Sequence, residues 1–449
     1  MKKDLQLAIS RVKNLASIPF VRGVTIFQMG TIANMALGVL SSVAYTRMLG
    51  LHAFGALGII NALAGLISIV MLYGQDTATT TFLAEAAGKK DQSEIMRVLR
   101  YFLQASCLSG IVMTTLLLAC PTLATLSGNT PETGHLARLV LLNIFLQAPN
   151  ALTFAVLQIE RRIGTIIIVE NIIDALQIFL SVTLILCGYG VKGLLFGTLI
   201  GSLLSLPALF FLYENSARRQ GFPPLTSVIM HASRRDTADL FRQGMWMTLD
   251  RNISGNLYPN IFYMLLGAYG SVESVGIFRL AIKFATLPSS LVMPSIARMS
   301  STTIPKLVAK NIHTAVREST KILFTTVTLI TLVTIGSCLA MPFLIPLVYG
   351  QSFAAASTIF FFLSPINIIT GSHVISVPFL RVLRRVWIIT YVHLAGILLA
   401  IAAFFLLKDW IGAVSATIAS ILIFHLNSLW LFAYLYYKIG NPFTRAKRS

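Results

Sequence analysis

The sequence predicts an all-α polytopic membrane protein of about twelve transmembrane helices in two six-helix lobes. Three observations predict it: too few charges to cover a soluble surface, apolar runs of membrane-spanning length, and a one-sided distribution of lysine and arginine. Of 449 residues, 56% are hydrophobic and only 11% charged, and the mean hydropathy is +0.79. Soluble domains carry roughly a quarter charged residues. A large soluble core would also need amphipathic helices with charged outer faces, which the sequence lacks.

The apolar runs place spans at residues 22–47, 53–74, 97–120, 136–157, 163–187, 193–213, 242–267, 274–297, 319–348, 355–377, 386–407 and 411–437. Each is near the length that crosses a bilayer as a helix. The net charge of +19 is distributed by side. Of the 35 Lys and Arg residues, 28 fall in the N-terminus, the even-numbered connections and the C-terminus. Four fall in the odd-numbered connections: Arg47, Arg138, Lys192 and Lys408. The positive-inside rule then puts both termini in the cytoplasm of a multi-pass inner-membrane protein. The basic pI follows without a nucleic-acid partner.

Residues 1–21 read as a basic amphipathic segment on the inner leaflet, with Lys2, Lys3, Arg11 and Lys13 between Leu5, Ile9, Val12 and Leu15. Residues 22–213 form the N-terminal lobe and 242–437 the C-terminal lobe. A cytoplasmic linker, 214–241, joins them, and 438–449 is a basic tail. The two lobes show weak ordered similarity. Gly50 answers to Gly267, the run Pro121 to Gly128 to Pro342 to Gly350, Arg161-Arg162 to Arg384-Arg385, and Gly193 to Gly412. These pairs are offset by 217 to 223 residues. With an even number of spans per lobe, the pseudo-two-fold axis lies along the membrane normal and a cavity is expected between the lobes, as in alternating-access transporters.

Three cations fall inside spans: Arg251, Arg279 and Lys283. Three acids do too: Glu170, Asp174 and Asp250. A charge at the helix centre costs about 2.5–3.5 kcal/mol on insertion scales, so each is expected to face a cavity or a partner. At about 1.5 Å per residue, Arg251 and Lys283 both sit near the bilayer centre. Two readings stand for the cations: binding an anion such as phosphate, which Arg suits by its forked geometry, or pairing with the three acids. For Asp250, Glu170 and Asp174 the readings are proton or sodium coupling and structural pairing. Spans one and seven carry the most polar side chains, among them Asn34 and the series Asn252, Asn256 and Asn260, with Pro259 as a bend. Asn256 and Asn260 either line the lumen, where amides suit a hydroxyl-rich substrate, or hold helices together.

The local patterns resemble the polysaccharide (O-antigen-type) flippases of the multidrug/oligosaccharidyl-lipid/polysaccharide (MOP) exporter superfamily. The carriers are Thr46-Arg47-Met48-Leu49-Gly50 with Phe54-Gly55; Leu266-Gly267 with Ser274-Val275-Gly276-Ile277-Phe278-Arg279-Leu280-Ala281; and Val348-Tyr349-Gly350-Gln351-Ser352-Phe353. The resemblance implies a V-shaped bundle that moves a polyprenyl-diphosphate-linked oligosaccharide between leaflets without ATP, for cell-surface polysaccharide synthesis. It implies a cationic lumen, which here would need Arg22, Arg47, Arg251, Arg279 and Lys283 to converge. Lipid-linked oligosaccharide and membrane lipids are then the partners, a polymerase and chain-length regulator are further candidates, and the chain is expected to act as a monomer.

Two other classes compete. A drug or metabolite antiporter of the same superfamily would favour acids in the cavity. A membrane enzyme of envelope synthesis would need a large outer loop or a reactive cluster. The longest outer connection, Pro121 to His135, is short. The seven histidines are scattered, with His373, His393 and His425 each alone in a span, where a hydrogen-bonded structural role is the expectation. The four cysteines have no CxxC spacing. No catalytic residue, metal or cofactor is expected, beyond H+ or Na+ coupling.

Overall fold

The computed structural model describes residues 19–71, 75–160, 162–230, 236–293, 312–382 and 385–431, with positions 296, 300, 304, 433 and 434. Every regular element among them is helical. In chain order these are α1 (Pro19–Ser68), α2 (Gln75–Lys89), α3 (Gln92–Leu126), α4 (Pro131–Leu146), α5 (Ala148–Ile159), α6 (Ile163–Leu184), α7 (Gly190–Gln220), α8 (Leu225–Met230), α9 (Ala238–Asn252), α10 (Tyr258–Tyr269), α11 (Val272–Ala285), α12 (Ile312–Tyr349), α13 (Ala355–Leu363), α14 (Ile366–Gly371), α15 (His373–Val382), α16 (Val386–Ile411) and α17 (Ala413–Ser428).

Among the described residues, seven helical stretches are long and apolar enough to cross a membrane, or eight with one bent pair counted as a span. Two of the seven are double-length, Met29–Met71 and Ile163–Gln220, and each turns back on itself at glycine. Gly50 makes the first turn with φ 77°. Gly188 and Gly190 make the second, with φ 91° and 53°. Space at these glycines is open, so it is the positive φ that selects the residue. Gly128 and Gly350 close the third and ninth crossings, and Gly190 and Gly412 the fifth and eleventh, all at positive φ and 222 residues apart in both cases. The repeat is thus carried by backbone turns, with Gly190 rather than Gly193 the partner of Gly412. Other boundaries have ordinary causes. Asp91 Oδ1 accepts from the Ser93 and Glu94 amides to cap α3, and Thr130 caps α4 with Pro131 next to it.

Large apolar side chains are exposed along α12 at Phe324, Leu332, Ile335, Leu339, Phe343 and Leu347. From Leu332 on, the three-to-four-residue spacing makes one stripe, which only lipid can cover without cost.

The apolar core shows how the halves meet. At the end that carries Gly50 and Gly350, one core runs through both, from Phe54, Met113 and Leu194 to Phe278, Tyr349 and Phe424. At the arginine-rich end it divides. Leu83, Leu99, Val156 and Tyr213 form one cluster, and Val374, Leu380, Ile389 and Leu431 another. The bundle is joined at one end and parts toward the other.

One helix bridges the parting. α9 packs on the first half: Arg97 donates to Asp239 and to the Asp236 carbonyl, Arg100 pairs with Asp236 at 2.7 Å, and Gly244 lies against the Tyr101 hydroxyl. After a π turn over Ile253–Leu257, with Pro259 opening the next helix, α10 meets the second half through Tyr258 and the first half through Asn260, which lies against Gly65. The bend expected at Pro259 therefore includes a π turn just before it.

Candidate functional site

Where the halves join, they enclose a cavity of about 480 Å³, within the usual size range of ligand sites. α1 contributes Ser41, Ser42 and Tyr45 on one side of its Gly50 turn and Phe54, Leu57 and Asn61 on the other. α4 supplies Asn143, α7 Thr198, α10 Tyr263, and α11 both Arg279 and Lys283. Six crossings of the two halves thus meet at one polar pocket inside an apolar frame. Its polar groups are almost all neutral donors and acceptors, and its two charges are both positive.

Arg279 and Lys283 share a face because they are four residues apart on α11, whose N-terminus Ser271 caps by accepting from the Ser274 amide at 3.1 Å. The Arg279 guanidinium stands 5.3 Å from the centre of the Phe54 ring. Its Nη1 is buried and has no hydrogen-bond partner among the described residues. Lys283 Nζ donates to the Gly38 carbonyl at 2.5 Å. Among the described residues, no carboxylate pairs with either cation. The aromatic ring offers Arg279 cation–π attraction of about 0.5–2 kcal/mol, less than an ion pair with full hydrogen bonding. The cavity therefore holds a buried positive potential with an unused donor.

The acids lie elsewhere. Asp174 accepts from Asn34 Nδ2 at 2.5 Å, one turn along α1 from Gly38, and Glu170 is exposed one turn before it on α6. The pairing of Lys283 with an acid, one of the readings the sequence allows, does not occur with Asp174 here. Asn34 is thus occupied by a carboxylate. Asn260 lies tight against Gly65, and Asn252, fully buried, donates to the Ile69 carbonyl at 3.2 Å. Both amides sit at the contact between the second and seventh crossings.

Arg47 does not reach the cavity. Its Nε and Nη2 donate to the Val348 and Leu347 carbonyls at 2.8 and 3.0 Å, capping the end of α12 from across the seam. The backbone at Arg22 is helical, but its side chain lies outside the described residues, as do those of Asp250, Arg251 and Asn256. Sequence reasoning passed over Asn61, Asn143 and Tyr263. The signal was available for the amides, each an uncharged polar residue isolated in an apolar run. Asn143 is part of a chain in which Gln177 donates to Ser202 at 3.0 Å and Ser202 to Asn143 at 2.6 Å. His373, His393 and His425, single in their spans, come together in the fold, with His373 hydrogen-bonded to Ser428 and His425 to Tyr258.

The Gly50 end is sealed beyond the cavity. Ser42 and Tyr349 share a buried hydroxyl contact of 2.8 Å, Phe54 meets Phe353 edge-on at 6.0 Å, and His52 contacts Glu273 at 2.6 Å.

A two-part helical bundle with a polar cavity at its seam, sealed at one end, is the architecture of a multi-pass membrane transporter. The family described as polysaccharide biosynthesis protein matches residues 20–303, more than half of the chain, and the chain belongs to that family. Among solved structures it is similar to a multidrug resistance MATE family transporter of the MOP superfamily in an inward-facing conformation. That match has 16% identity and a TM-score of 0.68 over 92% of this chain and 95% of the other. It is also similar to the eukaryotic MATE transporter AtDTX14 (15%, TM-score 0.69, 95% and 97%). A mutant of a Vibrio cholerae MATE transporter matches at 15%, with a TM-score of 0.65 over 96% and 98%. At such identity these likenesses show the fold, which is that of the MOP transporters. No curated protein matches the chain.

Proposed function

We propose that the protein is a flippase that carries a polyprenyl-diphosphate-linked oligosaccharide from the inner to the outer leaflet of the cytoplasmic membrane by alternating access. The observation that carries this reading is the pair Arg279 and Lys283, uncompensated by any described carboxylate in a cavity whose other polar groups are hydroxyls and amides. A diphosphate meets the two cations, and sugar hydroxyls meet Ser41, Asn61, Asn143 and Thr198. The 28-to-4 division of basic residues assigns the arginine-rich end to the cytoplasm. The bundle is then open inward, and the lipid tail stays in the bilayer while the headgroup enters. Loading the cavity neutralises the cations, which lowers the cost of closing the open end around them.

The test is export in cells carrying Arg279→Ala, Lys283→Ala or both, at matched protein levels. The expected result is accumulation of lipid-linked units on the cytoplasmic leaflet, with the double variant reduced at least about a hundredfold, as for loss of two charge-assisted contacts. Full export by the double variant overturns the assignment. A second reading, a cation-coupled drug or metabolite antiporter, is favoured by one observation, the Asn34–Asp174 contact with Glu170 one turn away. Dye efflux that survives the double substitution and fails with Asp174→Asn supports that reading instead.

A further inference from the structure

The second half holds a group of ionisable side chains that the cavity does not use. His373 begins α15, His393 lies on α16 and His425 near the end of α17. The His373 and His393 rings are 6.1 Å apart, centre to centre. Phe424 sits among them, 6.0 Å from the His393 ring, 5.3 Å from the His425 ring and stacked at 3.9 Å on Tyr258. Tyr258, the first residue of α10, closes the group edge-on to His425 at 5.4 Å.

Hydrogen bonds define where the protons are. Ser428 donates its hydroxyl proton to the His425 carbonyl at 2.5 Å, so at 2.8 Å it can only accept from His373 Nε2. His373 therefore carries a proton on Nε2. His425 Nε2 shares one proton with the Tyr258 hydroxyl at 3.0 Å. Its Nδ1 is buried and has no hydrogen-bond partner among the described residues. When Nε2 is the donor to Tyr258, Nδ1 is a bare lone pair in an apolar setting. A buried unmatched nitrogen of this kind calls for a role. No grouping among the described residues has metal-holding spacing.

The described charged groups on the surrounding helices are engaged elsewhere. Tyr258 is a titratable side chain bonded to it. Arg385, bonded to Tyr434, opens α16, and Lys408 and Asp409 pair with each other at its far end. Arg317, Glu318 and Lys321 group near the start of α12. The side chains of Arg381 on α15, and of Asp250 and Arg251 on α9, lie outside the described residues.

Tyr258 ties this cluster to the helix that spans both halves, directly after its π turn. Two residues on, Asn260 lies against Gly65 of the first half, so a change in the angle between the halves moves Tyr258 relative to His425. We propose that His373, His393 and His425 form a proton-binding site of the second half, and that the Tyr258–His425 hydrogen bond couples its occupancy to the angle between the halves. One proton from water adds to an imidazole lone pair, and the resulting charge is tolerated in the arrangement that admits water or a counter-ion. What the proton drives rests on the transport reading above, whereas its binding does not.

The experiment is nitrogen-15 NMR of histidine-labelled full-length protein in lipid nanodiscs, from about pH 5 to about 8, the range in which histidine switches charge. Signals are assigned with His373→Gln, His393→Gln and His425→Gln. The expected result is a cluster imidazole that gains one proton reversibly. Tyr258→Phe should displace its titration, and the exposed His52 should be unmoved. In proteoliposomes under a pH gradient, His425→Gln, whose amide can still bond Tyr258, should slow gradient-driven transport at least about tenfold while transport down a substrate gradient persists. Three ring signals that stay neutral throughout overturn the proposal, as does an unchanged pH profile in His425→Gln. Signals that respond to added zinc instead of protons overturn it as well. Loss of both modes of transport with a normal NMR titration counts against the flippase reading and leaves the proton site standing.

Discussion

Gly55 shows how much a single atom decides at the seam. A Cβ built there lies 1.9 Å from the Val272 carbonyl oxygen and 2.7 Å from its carbon, so the second and eighth crossings touch backbone to backbone. Gly276 approaches the Gly55 amide from the other side, at 3.1 Å from its own would-be Cβ. Neither neighbour is the flexible end of a side chain, so neither can give way cheaply. Gly55→Ala is expected to lower stability by about 1–3 kcal/mol, read as a fall in the thermal midpoint of the purified protein. An unchanged midpoint means that the two helices are not in contact at this point. Arg279 is the electrostatic counterpart of this steric case. Its buried Nη1 makes it the residue whose removal should cost function without costing a described ion pair.

At the scale of the element, the seal at the Gly50 end depends on how α12 finishes. The last carbonyls of a helix have no partner within it. Here those of Leu347 and Val348 accept from Arg47, a residue of the opposite half. The cap of one helix is therefore also a latch between halves. Arg47→Ala removes two exposed hydrogen bonds, each worth about 0.5 kcal/mol, the low end for such bonds. The expected outcome is a shift toward the conformation open at this end, seen as faster labelling of a cysteine placed at Ser42. Arg47→Lys restores the charge but not the two-pronged geometry, and should recover less than half of the effect. Labelling that does not change in Arg47→Ala removes the latch from the account. His52 with Glu273 adds little, being exposed.

For the whole molecule, the division of the core predicts access. One shared cluster at the Gly50 end and two at the arginine-rich end mean that the cavity is reached from the latter. With the proposed orientation, a membrane-impermeant thiol reagent should label Ser41→Cys in inside-out vesicles and leave it unlabelled in right-side-out vesicles. The reverse pattern overturns either the orientation or the state, and a fluorescent-protein fusion at the C-terminus, which shines only in the cytoplasm, separates the two.

Much of this architecture was legible beforehand because helices in lipid must satisfy their own backbone. Runs such as Ile163 to Cys187 have to be crossings whatever they pack against. The turns at Gly128, Gly350 and Gly412 were legible for a similar local reason, since each breaks an apolar run. The site was only partly legible. Arg279 and Lys283 stood out as charges within a span, but Arg47 looked equivalent and reaches the end of α12 instead. Asn61 and Asn143 were passed over because an amide is as good at holding helices together as at lining a cavity.

The sequence by itself determined that this chain crosses a membrane repeatedly, which end carries the positive charge, and that its two halves repeat. These properties follow from composition, run length and order along the chain, and each is a sum of local terms. Only the tertiary structure decided that Arg279 has no described carboxylate beside it, that Asp174 is held by Asn34 rather than by Lys283, and that three separate histidines gather around Phe424, with His425 bonded to Tyr258. Such pairings depend on how each helix is rotated about its axis and where it crosses its neighbours. Those quantities are set by packing between residues more than a hundred positions apart, such as Gly55 with Val272.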